Sequence, residues 1–460
     1  MVIMDKDLEQ LMKCQRDFFT TGKTREYAFR MQALSRLFRA LKEYERELER
    51  ALKKDLNKCT YESYMSEIGL TLSELSYVKK HLKSWMRSKR EAVTVSQFPA
   101  KCLVMPEPYG VVLVMAPWNY PVLLCLEPLI DAVAAGNCVV LKPSAYAPAV
   151  SEVLKKMLGS IYPQKYVAVV EGGRKANSEL LEQRFDYIFF TGSVSVGRLV
   201  MEKAAQNLTP VTLELGGKSP CIVDETADIK LAARRIAFGK LINAGQTCVA
   251  PDYVVVQKKV EKQLIDCLGE EMRKMLGDAL KNPAYPKIIN QKHYDRILSL
   301  IEGETVQYGG AARPDTLQIA PSVLTGVTLA SPVMKEEIFG PVLPVLTYET
   351  EEELEKIITS FGKPLALYLF SRRKERIRWV LRTFSFGGGC VNDTLIHLAS
   401  PHMPFGGVGN SGMGSYHGKA GFTAFSHNKS IVCKKGSVDI PLRYQPYNGR
   451  NWKILRIMLK

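Results

Sequence analysis

The amino-terminal part of the chain has the hydrophobic spacing of helices. Between residues 24 and 55, apolar side chains recur in steps of four and three, at Tyr27, Met31, Leu34, Phe38 and Leu41. The next segment repeats this kind of spacing at Met65, Ile68, Leu72 and Leu75. Such steps place side chains on one face of a helix. We therefore predict a helical amino-terminal region, which carries no chemical motif of its own.

From residue 110 the pattern changes to short apolar runs that alternate with helical segments. The predicted strands are residues 110–116, 138–141, 166–171, 186–191 and 211–214. The predicted helices between them are residues 121–135, residues 148–158, a segment after Arg174, and residues 194–205. Strands that alternate with helices form a parallel sheet covered on both faces. Ligands of such sheets bind beyond the carboxyl ends of the strands.

A second alternating set begins near residue 220. Its predicted strands are residues 221–223, 253–257 and 366–370. This set indicates a second α/β domain, and a chain of 460 residues has room for two or three domains. The chain then ends in an aromatic and basic segment, residues 439–460.

Composition excludes several classes of protein. Residues 1–13 mix charges with short apolar pairs, and no run reaches the roughly 18 apolar residues that span a membrane, so we expect a cytoplasmic protein. The ten cysteines form no CxxC pair and the six histidines show no metal-ligand spacing. Neither a metal site nor a disulfide framework is therefore expected. The net charge of +16 suits an anionic partner, but the chain has no nucleic-acid motif and a solvated basic face is favoured.

A glycine-bounded turn follows the fourth predicted strand. It reads Gly192-Ser-Val-Ser-Val-Gly197, and glycines there would let the backbone approach a pyrophosphate at the start of the next helix. A Walker phosphate loop is excluded because Arg198 and Leu199 stand where it needs Lys and Ser or Thr. The spacing is GxxxxG rather than GxGxxG, so a purely structural turn stays open as the alternative.

Three residues have side chains suited to acyl chemistry. Cys248, in Gly245-Gln-Thr-Cys248, has small neighbours that would give a thiolate nucleophile access, although a buried cysteine is the commoner case. Glu214 ends the fifth predicted strand, where it would serve as a general base or as an ion-pair partner of Lys218. Asn119, in Pro117-Trp-Asn119, would donate to an oxyanion or cap a helix.

Taken together, these segments resemble the aldehyde dehydrogenase superfamily over residues 5–430. The matching segments, in the family's order, are Pro117-Trp-Asn119, Lys142-Pro-Ser144, Phe190-Thr-Gly-Ser193, Glu214-Leu-Gly-Gly217, Gly245-Gln-Thr-Cys248, Glu337-Ile-Phe-Gly-Pro341 and Pro404-Phe-Gly-Gly407. The short amino-terminal region and the glycine-rich run that starts at His402 resemble the class 3 branch. That branch typically oxidises medium- and long-chain aliphatic or aromatic aldehydes and forms dimers.

The resemblance implies a role for each catalytic residue. Cys248 would attack the aldehyde carbon, and Asn119 with the Cys248 backbone N–H would hold the oxyanion. Hydride would leave for a nicotinamide dinucleotide, NAD or NADP, and give a thioester. Glu214 would then activate water to release the acid.

The resemblance also implies binding residues. Lys142 and Glu337 would hold ribose hydroxyls, Phe339 would pack near the nicotinamide ribose, and Gly192, Ser193 and Gly197 would face the pyrophosphate. Tyr120 and the segment from Asn392 to Ile396 would line the substrate passage.

The resemblance further implies the fold class: two doubly wound α/β domains, the first of them Rossmann-like, and a small β arm that pairs subunits. By position, residues 1–93 and 107–212 would form the cofactor domain, and residues 213–410 the catalytic domain. The arm would comprise residues 94–106 and 422–436. In the basic aromatic tail, residues 437–460, a membrane-surface contact is one interpretation. Packing of the tail on the chain's own dimer is favoured.

Alternatives to this function exist. A CoA-acylating or phosphate-coupled dehydrogenase of the same superfamily has less need of a water-activating base, so Glu214 favours hydrolysis. A non-catalytic binding protein would have no need for Cys248, Asn119 and Glu214 together. For the cofactor, many NAD-preferring members carry glutamate three residues after the strand-end lysine, where this chain has Ala145. With Arg174 after the next strand, we expect NADP to be used at least comparably to NAD.

Overall fold

Regular secondary structure runs through most of the computed structural model, which describes residues 5–447 and 449–459. Its α-helices are α1 Asp5–Thr20, α2 Tyr27–Glu43, α3 Glu45–Leu56, α4 Thr60–Ser63, α5 Gly69–Trp85, α6 Leu123–Ala135, α7 Pro148–Ile161, α8 Arg174–Glu182, α9 Val194–Ala205, α10 Ile229–Leu241, α11 Glu261–Leu276, α12 Gln291–Ser299, α13 Glu351–Thr359, α14 Lys374–Thr383, α15 Gly418–Ala424 and α16 Gly449–Met458.

The strands lie mainly in the middle of the chain. They are β1 Lys89–Glu91, β2 Ala100–Pro108, β3 Val111–Met115, β4 Cys138–Lys142, β5 Val167–Val169, β6 Tyr187–Thr191, β7 Val211–Glu214, β8 Pro220–Val223, β9 Tyr253–Gln257, β10 Thr305–Tyr308, β11 Ala312–Arg313, β12 Gln318–Ile319, β13 Ser322–Thr325, β14 Val342–Tyr348, β15 Ala366–Phe370, β16 Gly388–Val391, β17 Gly412–Met413 and β18 Ser426–Lys434. The strands β7, β9 and β15 and the helix α9 have the predicted bounds.

The first sheet has six strands in the order β17-β7-β6-β3-β4-β5. All neighbours are parallel except β17, which pairs antiparallel with β7. β3, β4 and β6 are buried along their whole length, which explains their unbroken apolar sequences. The predicted parallel sheet is confirmed, and the residues that follow β3, β4, β6 and β7 lie at one edge of it.

The second sheet has seven strands in the order β10-β13-β14-β9-β8-β15-β16. Only the edge pair of β10 and β13 is antiparallel. This confirms the second α/β unit that the strands β8, β9 and β15 predicted. A third, antiparallel sheet joins β1, β2 and β18, and the long pairing of β2 with β18 links residues more than 300 positions apart.

The predicted amino-terminal helices are present, but they are interrupted. Tyr44 separates α2 from α3, and a turn of π-helix at Tyr64–Ile68 separates α4 from α5. Leu34 and Leu41 are fully buried as expected, whereas Tyr27, predicted on the same apolar face, is 39% exposed. No helix in the described ranges is long and apolar enough to cross a membrane.

Candidate active site

A cavity of about 450 Å³ lies over the edge where β3, β6 and β7 end. The parallel registers align Met115 with Phe190 and Thr191 with Glu214, so the segments that follow these strands converge there. Residues from the second α/β unit close the other side. The lining residues are Pro117, Trp118, Asn119, Leu124, Thr191, Gly192, Ser193, Val194, Ser195, Glu214, Leu215, Gly216, Cys248, His293, Arg296, Glu336, Glu337 and Phe339.

Cys248 reaches this cavity from the loop between α10 and β9. Asn243 and Ala244 adopt positive φ angles of 51° and 50°, and Gly245 follows with a φ of 72°. A Cβ on Gly245 would overlap the carbonyl oxygen of Gly340, so only glycine permits this close packing of two loops. The cysteine loop is thus fixed against the segment that carries Glu337 and Phe339.

The Cys248 side chain lies between two cavities. The second cavity has a volume of about 250 Å³ and an almost entirely apolar wall. Its lining comprises Met65, Ser66, Leu70, Tyr120, Leu123, Leu124, Glu127, Phe238, Ile242, Thr247, Cys248, Val249, Leu395, Ile396, Leu398, Ala399, Phe405, Tyr416 and His417. Burial raises the pKa of the Cys248 thiol, and the carboxylates of Glu337 and Glu214 raise it further. The Cys248 thiol is therefore held in its neutral form.

Asn119 is buried beside this thiol in the polar cavity, and its backbone and side chain are both held. Its Nδ2 donates to the Gln246 carbonyl oxygen at 3.0 Å, and its own carbonyl accepts from Asn243 Nδ2 at 2.7 Å. An amide nitrogen has two hydrogens, so one remains available to a ligand oxygen. Asn119 therefore has the fixed donor that an oxyanion site requires.

The two carboxylic acids of the site have different surroundings. Both carboxyl oxygens of Glu214 are buried and without a hydrogen-bond partner among the described residues, and burial raises its pKa well above the ordinary value. The alternative that Glu214 pairs with Lys218 is wrong, because Lys218 Nζ binds Asp252 Oδ2 at 2.5 Å. Glu337 instead accepts the backbone N–H of Gly217, and burial and Asp252 raise its pKa to about 8.

The aromatic wall around Phe339 was not predicted in full. Phe339 adopts a positive φ of 48° and packs edge-on against Trp118, with ring centroids 5.4 Å apart. The His293 ring also packs against Trp118, with ring centroids 5.4 Å apart. Arg296 donates to the Ile338 carbonyl at 2.6 Å and pairs with Glu336 at 2.8 Å, which holds this segment in place. His293 and Arg296 belong to α12, whose sequence gives no signal of a site.

The glycine turn divides into two parts. Gly192 and Ser193 line the cavity, and Ser193 caps α9 by accepting the Val196 N–H at 3.4 Å. Gly197 does not line it: a Cβ there would come within 2.6 Å of Leu215 Cδ2, so this glycine allows helix and sheet to pack closely. The structure therefore assigns the exposed helix start to the cavity and Gly197 to packing.

Lys142, Ala145 and Arg174 stand apart from the residues that line the polar cavity. Lys142 is buried at the end of β4, where its Nζ donates to the Pro143 carbonyl at 2.7 Å. Burial lowers the pKa of its ammonium to about 8. Ala145 and Arg174 are exposed, in the turn after β4 and at the first residue of α8.

Two of the three predicted substrate residues line the apolar cavity. The Tyr120 hydroxyl lies 2.6 Å from that of Thr247, and Ile396 is 56% exposed at the cavity wall. Asn392 does not line it, because its side chain binds the backbone N–H and carbonyl of Ser371 at 2.9 and 3.0 Å. Wall residues from distant segments, such as Phe238 and Tyr416, have no local sequence signal that predicts them.

Comparison with known proteins identifies the family of this site. The sequence profile of the aldehyde dehydrogenase family matches residues 3–431, and the chain belongs to that family. Its relatives place it in a class 3-like branch, and it is an NAD(P)-dependent enzyme that oxidises an aldehyde to the acid. The resemblance inferred from the motifs is thereby confirmed.

The relatives match over almost the full chain. The 4,4'-diaponeurosporen-aldehyde dehydrogenase of Staphylococcus aureus (strain NCTC 8325 / PS 47) is 45% identical, over 98% of this chain and 99% of that protein. Aldehyde dehydrogenase family 3 member B1 of Rattus norvegicus is 42% identical, over 98% and 97%. The aldehyde dehydrogenase of Canis lupus familiaris named dimeric NADP-preferring is also 42% identical, over 95% and 98%.

The fold also matches a solved structure. The substrate-bound state of Staphylococcus aureus AldH superposes with a TM-score of 0.97 at 44% sequence identity. The match covers 98% of this chain and 99% of that one. Two parallel sheets with an added antiparallel sheet are therefore the fold of the family, as the sequence predicted.

Proposed function

We propose that Cys248 is the nucleophile of this aldehyde dehydrogenase. The observation that carries the proposal is the position of Cys248, whose side chain lines both the polar and the apolar cavity. An aldehyde with a medium or long aliphatic chain, or an aromatic ring, would place its apolar part in the apolar cavity and its carbonyl carbon beside the sulfur. A carbon–sulfur bond would then form as the thiol proton passes to a base.

The polar cavity suits a dinucleotide. The helix α9 starts after Ser193 in the cavity wall, and the first N–H groups of a helix have no intrahelical acceptor. Gly192 lies so near Phe190 that a Cβ would come within 2.5 Å of its ring. We propose that these residues hold the pyrophosphate, that Lys142 and Glu337 bind ribose hydroxyls, and that Phe339 packs near the nicotinamide ribose. NAD(P) bound there supplies the hydride acceptor for the oxidation.

Asn119 and Glu214 complete the proposed mechanism. Asn119 and the Cys248 N–H would stabilise the negative oxygen of the thiohemiacetal. Glu214, whose carboxyl oxygens have no hydrogen-bond partner in the described chain, would in its ionised form take a proton from water, and its raised pKa makes that form a stronger base. The water oxygen then attacks the thioester carbon and the Cys248 sulfur leaves, which releases the acid.

The oligomeric arm and the domain limits are also proposals. We propose that residues 94–106 and 422–436, which include parts of β2 and β18, pair two subunits. We propose the division into residues 1–93 with 107–212 and residues 213–410, which is supported by the strands β3 to β6 of the first sheet and by all seven strands of the second sheet. The dog relative is named dimeric, which supports a homodimer. Sedimentation velocity would test the dimer, and cell fractionation would test the cytoplasmic location, which stays a prediction.

We propose that the tail, residues 437–460, packs on the dimer rather than on a membrane. Its helix α16 exposes Trp452 and Ile457, at 62% and 77%, between basic residues. Such a face suits either partner. Equal sedimentation with anionic vesicles for the full chain and for a chain that ends at Asp439 would exclude the membrane contact, and loss of vesicle binding on truncation would contradict dimer packing.

Replacement of Cys248 by alanine tests the proposed function. Cys248→Ala should abolish aldehyde-dependent reduction of NADP while NADP still binds with its original affinity. Cys14→Ala is the matched control, because Cys14 lies on α1 and lines neither cavity. Assays with and without CoA and phosphate separate hydrolysis from acyl transfer. Turnover in the Cys248→Ala enzyme would contradict the nucleophile assignment, and a strict requirement for CoA or phosphate would contradict the hydrolytic role of Glu214.

A further inference from the structure

A fully buried ion pair lies behind Asn119. The side chains of Lys58 and Glu67 have no solvent exposure, and Lys58 Nζ lies 2.6 Å from Glu67 Oε1. Removing two charges from water costs free energy that their attraction only partly returns. An apolar pair would often serve stability equally well, so the two charges require an explanation other than packing.

The contacts of Lys58 point directly at the oxyanion donor. Its ammonium donates to the carbonyl oxygen of Asn119 at 2.9 Å and lies 4.0 Å from the ring centre of Tyr120, the next residue. The Lys58 charge thus fixes the peptide that joins these two residues. Asn243 Nδ2 donates to the same carbonyl at 2.7 Å.

Glu67 holds the other end of the same short segment. Its second carboxyl oxygen accepts the Val122 N–H at 2.8 Å, at the start of α6. One ion pair therefore holds both ends of residues 119–122. Lys58 binds the carbonyl of Asn119, and Glu67 binds the backbone N–H of Val122. The π-helical turn Tyr64–Ile68 contains Glu67 and carries it into this position.

The same amino-terminal segment also holds the cysteine loop. Glu62 Oε1 accepts the Asn243 N–H at 2.7 Å, and Asn119 Nδ2 donates to the Gln246 carbonyl two residues before Cys248. Residues 58–67, which include α4 and most of the π-helical turn, therefore fix the relative positions of the amide donor and the nucleophile, although none of them reacts.

We propose that Lys58 and Glu67 are positioning residues that hold the Asn119 amide where the oxyanion develops. This inference rests on the oxyanion role proposed for Asn119. Without Lys58, the Asn119 carbonyl loses one of its two donors and the Glu67 charge loses its partner. A shift of about 1 Å in a catalytic group costs about 100-fold in rate.

A double-mutant cycle with Asn119→Ala tests the proposal. We expect Lys58→Met to slow single-turnover hydride transfer about 100-fold while the affinity for NADP is unchanged. In the Asn119→Ala enzyme, Lys58→Met should slow hydride transfer no more than about twofold, which is the usual deviation from additivity between independent sites. Lys258→Met is the matched control, since Lys258 forms an ion pair of the same 2.6 Å length with Glu261 but is 53% exposed.

The variant Lys58→Met/Glu67→Gln separates positioning from folding. It removes the unpaired charge and keeps an acceptor for the Val122 N–H, so its melting temperature should exceed that of Lys58→Met while hydride transfer stays slow. If the hydride-transfer rate of Lys58→Met/Glu67→Gln recovered together with its melting temperature, the proposal would be overturned. It would also be overturned if Lys58→Met slowed hydride transfer equally in the wild-type and the Asn119→Ala enzymes. A normal rate in Asn119→Ala alone would instead remove the oxyanion role, and the positioning inference with it.

Discussion

Gly216 lies against the carboxylate of Glu337 so closely that a Cβ on the glycine would overlap Oε2. The next residue, Gly217, donates its backbone N–H to the same carboxylate. The segment Glu214-Leu-Gly-Gly217 therefore supplies one carboxylic acid of the site and positions the other. This relationship explains why a glycine stands at position 216.

Replacement of the first of these glycines should weaken cofactor binding. Gly216→Ala displaces the Glu337 carboxyl group, and losing a hydrogen bond of about 0.5–1.5 kcal/mol corresponds to a rise of about twofold to tenfold in KM for NADP. Alkylation of Cys248 without cofactor should keep its rate. Gly217→Ala is the control, because the nearest atom to its Cβ is Pro364 Cα at 3.7 Å. Equal effects of the two substitutions would contradict this role of Gly216.

Sequence periodicity was sufficient for the elements that are uniformly buried or plainly amphipathic. The strands β3, β4 and β6 are unbroken apolar runs, and their shared parallel direction brought Asn119, Gly192 and Glu214 to one edge as expected. Long-range pairing could not be predicted in this way. Lys218 has both Glu214 and Asp252 in the sequence as possible partners, and only the fold selects Asp252.

Other parts of the site lacked a local signal. Lys58 lies in the connection between α3 and α4, and Glu67 lies nine residues later in the π-helical turn, so no helical period aligns them and only the fold brings them together. The wall of the apolar cavity collects single residues such as Phe238 and Tyr416 from distant elements. Asn392 was assigned to the substrate passage by resemblance, whereas its amide binds the backbone of Ser371.

The proposed base should control deacylation more than acylation. We predict that Glu214→Gln gives one fast equivalent of NADPH per active site and then slow turnover, because the thioester forms but water is not activated. Rapid-mixing absorbance would measure both phases. Glu337→Gln is the comparison, since Glu337 is the other buried carboxylic acid of the cavity. Normal turnover in Glu214→Gln together with thioester accumulation in Glu337→Gln would assign the base to Glu337.

The reactivity of Cys248 should increase with pH over an unusually high range. Burial raises the pKa of its thiol, so the thiolate fraction, and with it the rate of alkylation by iodoacetamide, should rise about tenfold per pH unit from pH 7 to 9. The pKa of Glu337 is raised to about 8, so its charge opposes the thiolate only above that pH. Glu337→Gln should therefore match the wild type below pH 8 and react faster above it. If the alkylation rate reached its plateau before pH 8 as the pH increases, the thiol pKa would not be raised and this account would be contradicted.

Cofactor choice should follow from two exposed residues at neighbouring strand ends. β4 and β5 are parallel neighbours, and Ala145 and Arg174 lie in the connections that leave their carboxyl ends. Arg174 forms no ion pair in the described chain, so it is available to a 2′-phosphate, and the alanine adds no negative charge there. A glutamate at position 145 would repel that phosphate. Two unit charges about 4 Å apart repel each other by about 4 kcal/mol at an effective dielectric of about 20. Even a quarter of this energy would change the affinity for NADP several-fold. We therefore predict that NADP is used at least comparably to NAD.

Steady-state kinetics of three variants with each cofactor test this choice. Ala145→Glu should shift the ratio of kcat/KM values several-fold toward NAD, whereas Ala145→Gln, which has the same size without the charge, should not. Arg174→Ala should lower kcat/KM for NADP and leave that for NAD unchanged. Because burial lowers the pKa of Lys142 to about 8, its ammonium loses charge above that pH, and the advantage of NADP should decline there if Lys142 also faces the phosphate. A wild-type preference for NAD above about 100-fold, or about 2.7 kcal/mol, would refute the assignment.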